Sequence, residues 1–95
     1  MNKYELMLIL DPKLSDDEKT STLDTIKKTI TDNAGSIEKE DVWGEKKLAY
    51  KINKSDVGFY VLLQIELEGS KLKELTNTIN LLKKVWRNMF VKQDS

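Results

Sequence analysis

The residues of this chain best equipped for chemistry are cations and flat rings rather than acid–base groups. Lysines stand at positions 46, 47, 51 and 54, interleaved with Trp43 and Tyr50 and followed by Tyr60. Ammonium groups beside aromatic rings suit a nucleic-acid surface, because the cations meet phosphates and the rings stack on bases. The same pattern also describes an edge strand whose lysines keep it from pairing with a second chain. Arg87 is the one arginine among sixteen basic residues. Its planar guanidinium contacts phosphate bidentately, where lysine offers a point charge. Catalysis has little to draw on. The chain has neither cysteine nor histidine, which removes thiolate chemistry, disulfides, iron–sulfur ligation, the commonest general base near neutral pH and the commonest metal ligand. Glu38, Glu40 and Asp41 lie on a strand with alternating directions and no base beside them, and they read as solvated surface. Neither an enzymatic activity nor a cofactor or metal is expected.

Ninety-five residues make one domain, 1–95, with a short polar end at 92–95. A chain of this size buries roughly 60–65% of the surface its unfolded form exposes, which is one modest core. Charged residues are 34% of the chain and aliphatics are plentiful, a globular composition and not a disordered one. No apolar run approaches the ~18 residues of a membrane span, and no charged-then-apolar leader is visible, so no membrane contact is expected. The net charge is zero but unevenly placed: residues 1–41 carry six lysines and ten acids, and residues 42–95 carry ten basic residues and six acids. A basic patch on the C-terminal half follows from that distribution.

The elements that must position these residues are legible in order. Tyr4 to Leu10 is apolar on both alternating rows, as in a strand central to its sheet, and Asp11-Pro12-Lys13 ends it. Ser15-Asp16-Asp17-Glu18 is a capping box opening a helix with Leu23, Ile26 and Ile30 as its apolar stripe. Asn33-Ala34-Gly35 stops that helix, with Gly35 expected in the left-handed cap conformation. A second strand runs from about Ser36 to Ile52. Ile37 falls on odd numbering, whereas Leu48, Tyr50 and Ile52 fall on even, and one straight strand cannot bury both sets on one face. An irregularity near Trp43-Gly44 is therefore predicted. Lys54 to Gly58 is read as the turn, Phe59 to Glu68 as the third strand, Ser70 as the cap of a helix buried through Leu72, Leu75, Ile79 and Leu82, and Val85 to Val91 as the fourth strand.

Strand-helix-strand-strand-helix-strand with short connections implies an α+β, ferredoxin-like split βαββαβ fold. Its four-stranded antiparallel sheet should have the order 4-1-3-2 and both helices on one face. The uncovered face should carry Met7, Ile9, Tyr60, Leu62 and a row of strand four that includes Trp86. Contiguous apolar surface of that kind marks interaction sites.

The architecture alone serves enzymes, ligand sensors and RNA binders. An RNA-recognition motif fits poorly, because Asp56-Val57-Gly58-Phe59-Tyr60-Val61 arranges its glycine and aromatics wrongly. A small phosphatase of this fold would need an arginine in an anion loop after strand one, where Asp11-Pro12-Lys13-Leu14-Ser15 has none. The spaced set Trp43-Gly44, Lys46, Leu48-Ala49-Tyr50, Ile52 and Lys54 resembles the central motif of the bacterial small-subunit ribosomal protein S-six family. Tyr4-Glu5, Pro12, Gly35, Gly58 with Tyr60, and Val85, Arg87, Met89, Val91 and Lys92 extend the resemblance over nearly the whole chain.

That resemblance implies a structural constituent of the small ribosomal subunit in the cytoplasm, monomeric when isolated. It would bind 16S rRNA in the central domain together with ribosomal protein S-eighteen. It makes Lys3, Tyr4, Lys46, Lys54, Arg87 and Lys92 candidates for RNA contact, and Tyr50, Tyr60, Leu62 and Trp86 candidates for the protein partner. Asn2 and Asn80 stand where the family often has arginine, and Glu45 precedes Lys46 where a basic pair is common, so fewer bidentate phosphate contacts are expected. The alternative from a different class is a ligand-sensing or regulatory domain of the same fold, dimerising through the open face.

Overall fold

The computed structural model describes residues 2–93. Its elements are β1 (Asn2–Leu10), α1 (Asp16–Asp32), β2 (Ser36–Ile52), β3 (Ser55–Leu67), a 3-10 turn (Gly69–Lys71), α2 (Leu72–Leu81) and β4 (Val85–Lys92). All strand pairs are antiparallel and lie in the order β2-β3-β1-β4, the expected 4-1-3-2 seen from the other edge. The polar end enters the ladder further than expected: Lys92 belongs to β4 and the Gln93 amide donates to the Lys3 carbonyl at 2.8 Å. Positions 94 and 95 lie outside the described residues.

Strand alternation decides what is inside. Tyr4, Leu6, Leu8 and Leu10 of β1 and Val61, Leu63, Ile65 and Leu67 of β3 form two adjacent rows, buried under Leu23, Ile26 and Ile30 of α1 and Leu75 and Ile79 of α2. Leu72, Leu82 and Phe90 pack on the margins. The Ser15 hydroxyl accepts the Glu18 amide at 3.2 Å and donates to the Glu18 carboxylate at 3.2 Å, fixing where α1 begins. Lys84 Nζ, just before β4, lies 3.0 Å from that carboxylate. The ammonium, helped by the Ser15 amide, holds the Glu18 pKa below its ordinary 4.5.

Three local expectations need correction. The left-handed residue after α1 is Ala34 (φ +64°), not Gly35. Gly35 is needed for space: a Cβ there would stand 2.7 Å from Leu67 Cδ1, 2.8 Å from the Glu66 carbonyl and 2.9 Å from Ile30 Cγ2. Ser70 does not cap α2, because the 3-10 turn precedes it and Lys71 occupies the cap without a side-chain bond. The hairpin turn is Asn53-Lys54, both left-handed at φ +49° and +65°, and Ile52 already pairs with Ser55. Two consecutive left-handed residues match the twist of a tight hairpin, so β3 begins earlier than the glycine and serine content suggested.

The predicted irregularity is present. The β2–β3 register shifts between Val42 and Gly44, where Gly44 has φ +80°, a conformation glycine adopts without steric cost. Further shifts occur between Ile37 and Lys39 and between Lys47 and Ile52.

Gly35→Ala should destabilise the domain by about 1–3 kcal/mol through overpacking, whereas Ala34→Gly should be neutral or stabilise by up to about 1 kcal/mol by relieving left-handed strain. Urea unfolding of the two variants checks this. Glu18 has a depressed folded pKa, so its contribution is present above the ordinary carboxylate value and fades as the pH falls through the depressed one. Glu18→Gln should therefore lower the urea midpoint slightly at pH 7, with the difference from the native chain shrinking below pH 4.5. An unchanged difference in acid would show that the ion pair is not its source.

Candidate functional site

The open face of the sheet follows from the register. Opposed residues share a face, and the β1 residues alternating with the core row are Glu5, Met7 and Ile9. Met7 stands between Leu62 and Met89, and Leu62 is opposed in turn by Asp41. Ile9 stands between Tyr60 and Arg87, with Gly44 beyond Tyr60. Glu5 stands between Gln64 and Val91, with Lys39 beyond Gln64. The open face thus has an apolar centre, with a guanidinium at one side and mixed charge at the end nearer Lys3. Met89 is 61% exposed and Val91 50%, although such side chains are ordinarily shielded from water.

The hairpin adds a wall to this face. Between the pairs Lys47–Val57 and Ile52–Ser55, residues 48–51 of β2 oppose only Asp56, so the chain loops out of the ladder. Leu48 is carried over the open face and is the one buried residue of β2. It reaches the sheet across Gly58, where a Cβ would meet Ile9 Cγ2 at 2.5 Å and Leu48 Cδ2 at 3.2 Å. A cleft of about 320 Å³ results, lined by Ile9, Leu48, Tyr50, Tyr60, Arg87 and Met89 among others. Tyr50 stands at its rim, 78% exposed. Trp43, displaced by its bulge, lies parallel to the Tyr60 ring at 6.4 Å between centroids, which holds both rings on this face.

The sequence-derived candidates distribute unevenly over this geometry. Tyr50, Tyr60 and Arg87 meet at the cleft, and Leu62 lies in the next row of the same face. Trp86 does not join them. The β1–β4 register shifts at Ile9/Leu10, leaving Trp86 unpaired between Arg87 and Val85, and it lines a separate depression with Asp11, Lys13 and the hairpin tip. Lys46 and Lys54 belong to the hairpin arm and turn, whereas Lys3 and Lys92 lie at the opposite end of the sheet, near the β1 start and β4 end. Lys3 Nζ lies 3.9 Å from Glu38. Tyr4 is no surface contact: it is 5% exposed, packs edge-on against Phe90, and its hydroxyl takes a hydrogen bond from the Asn2 amide at 3.2 Å. Its place on the core row of β1 withdraws the ring from any base. Met89 and Leu48 are site residues that sequence reasoning passed over. The spacing Arg87-x-Met89-x-Val91 held the signal for the first, and the even-numbered set Leu48, Tyr50 and Ile52 held it for the second without showing which face it reaches.

No group of three or more potential metal ligands occurs among the described residues, and the depressions are open surface features. What this arrangement offers is apolar burial, ring stacking and fixed positive charge. A ferredoxin-like βαββαβ sheet with one bare apolar face and cations along its hairpin defines a binding and assembly domain. The chain belongs to the ribosomal protein S6 family: the model of that family, described as Ribosomal protein S6, matches residues 3–92. It is 39% identical to small ribosomal subunit protein bS6 of Fusobacterium nucleatum, over 99% of this chain and 100% of that protein. It is 40% identical to the bS6 of Saccharopolyspora erythraea, over 98% of this chain and 79% of that one. The crystal structure of 30S ribosomal protein S6 from Thermotoga maritima superposes with a TM-score of 0.89 at 28% identity, covering 97% of this chain and 87% of the other. These relatives bear the name of a ribosomal protein and not that of an enzyme.

Leu48→Ala should detach the hairpin tip from the sheet. Proteolysis and amide exchange over residues 48–56 should accelerate, while global stability falls by roughly 2 kcal/mol, the low end for a buried leucine. Unchanged exchange at the tip would mean that another interaction holds it.

Proposed function

We propose that this protein is a structural constituent of the bacterial small ribosomal subunit that binds 16S rRNA in the central domain together with ribosomal protein S-eighteen. The observation that carries the reading is the open face itself, where Leu62, Met7 and Met89 form a contiguous apolar row beside Tyr60, Ile9 and Arg87. The apolar row and the cleft under Leu48 suit a protein partner, since burying such a patch releases water from both surfaces. Arg87, at the margin of the patch, can reach across a protein–RNA seam and hold a phosphate with both arms of its fork. Lys46 and Lys54 on the hairpin, and Lys3 and Lys92 at the far end of the sheet, supply further phosphate contacts. Spread over both edge strands and both ends of a molecule 37 Å long, they suit an extended RNA surface more than one compact ligand. Tyr50, Tyr60 and Leu62 serve the protein partner. As a member of a ribosomal protein family, the chain works in the cytoplasm on the ribosome.

Arg87→Ala should lower incorporation into small subunits while leaving the urea midpoint unchanged, because the side chain is exposed and outside the core. The logarithmic salt dependence of RNA binding by the assembled protein pair should shallow by roughly 0.7–0.9 for each phosphate that the variant no longer neutralises. Normal incorporation of the variant would remove Arg87 from the RNA-binding set. A stable homodimer absent from gradient-purified subunits would overturn the whole reading.

A further inference from the structure

A second depression of about 550 Å³ lies between the β1–α1 turn and the tip of the β2–β3 hairpin. Asp11 and Lys13 line it from one side, Lys54 and Asp56 from the other, and Trp86 forms part of its wall. Trp86 is there because of the register shift at Ile9/Leu10, which takes it out of the ladder and leaves its indole half-buried. The cleft under Leu48 is a different feature and shares none of these residues.

Each component has a counterpart in an unstacked nucleotide. An indole face is a stacking platform for any base. Lysines on both sides can meet phosphates. Carboxylates only accept hydrogen bonds, so they discriminate among bases. Guanine alone presents two adjacent donors, N1–H and N2–H, on its pairing edge. Adenine and cytosine would set a ring-nitrogen lone pair against the carboxylate, and uracil would set two carbonyls around a single donor. The two acids are not equally free. Asp11 Oδ1 accepts the Lys13 amide at 2.9 Å, whereas among the described residues Asp56 has only a long ion pair, 3.8 Å from Lys51 Nζ, in the open.

We propose that this depression receives one extruded guanine of the RNA, stacked on the Trp86 indole, with N1–H and N2–H donated to Asp56 and the flanking phosphates met by Lys13 and Lys54. The proposal rests on the RNA-binding reading above and adds a base-specific interaction to it. It also moves Trp86 from the protein-partner face to the RNA. Asp56 then has a role beside the lysine-bearing hairpin tip, where a solely phosphate-binding surface would be weakened by it.

Kethoxal, which adds across N1 and N2 of unpaired guanines, tests this on small subunits reconstituted with and without the chain, at matched occupancy. The native chain should protect one guanine that Trp86→Ala and Asp56→Asn leave as reactive as in subunits lacking the protein. Trp86→Phe should retain the protection, which separates stacking from simple folding. RNA affinity of Trp86→Ala should fall roughly 5- to 150-fold, the range that stacking of one base supplies. Equal protection in the native, Trp86→Ala and Asp56→Asn subunits would overturn the guanine site while leaving RNA binding intact. Protection of an adenine N1 from dimethyl sulfate, in place of a guanine from kethoxal, would do the same. A native chain that incorporates without protecting any guanine would overturn the guanine site alone, and one that fails to incorporate would overturn both readings.

Discussion

Two helices cover one face of a four-stranded sheet, and the rest of the molecule is a consequence of that one-sided burial. Once Leu6, Leu8 and Leu10 on β1 and Val61, Leu63 and Ile65 on β3 lie beneath Ile26, Ile30, Leu75 and Ile79, strict alternation sends Met7, Ile9, Tyr60 and Leu62 to the opposite side. The protein cannot bury both rows with a chain of this length. Its bare face is as much a product of the core as the core itself, and its apolar character fits a domain completed by assembly.

The hairpin shows how departures from regular pairing create surface. The bulge at Trp43 sets its ring parallel to Tyr60. The excursion at 48–51 folds Leu48 back over Gly58 and Ile9. The shift on β4 drops Trp86 out of the ladder. Each irregularity leaves an aromatic or aliphatic side chain where neither strand row would have put it. Bulges re-aim side chains in this way, and here the excursion at 48–51 and the shift on β4 each shape a concave region of the surface.

Electrostatics contributes to function more than to fold. The ion pairs are partly exposed, as between Lys27 and Glu40 at 2.8 Å or Lys84 and Glu18 at 3.0 Å, and pairs of that kind add little stability individually. Half of the sixteen acids lie in α1 and early β2, away in sequence from the hairpin lysines. A neutral chain thereby carries one lysine-rich arm without the self-repulsion of a large net charge.

The sequence by itself determined the order of elements, the core rows of β1 and β3, the start of α1 at Ser15, the bulge near Gly44 and the family, through the spaced set from Trp43 to Lys54. All of these are local or periodic: a capping box, an alternation or a motif is complete within a few residues. Tertiary structure alone decided matters of register between distant strands. Which row of β4 faces the helices depends on Leu6 pairing with Phe90 and Met7 with Met89, and both rows of β4 are too apolar to choose by themselves. The fold-over of Leu48 and the separation of Trp86 from Tyr60 and Leu62 follow from the same nonlocal pairings. Ala34 taking the left-handed position beside Gly35 was hidden for a related reason, because the crowding by Leu67 and Ile30 exists only once strand and helix have met. A one-residue change of register alters every side chain's face, and no local pattern encodes the partner against which that register is set.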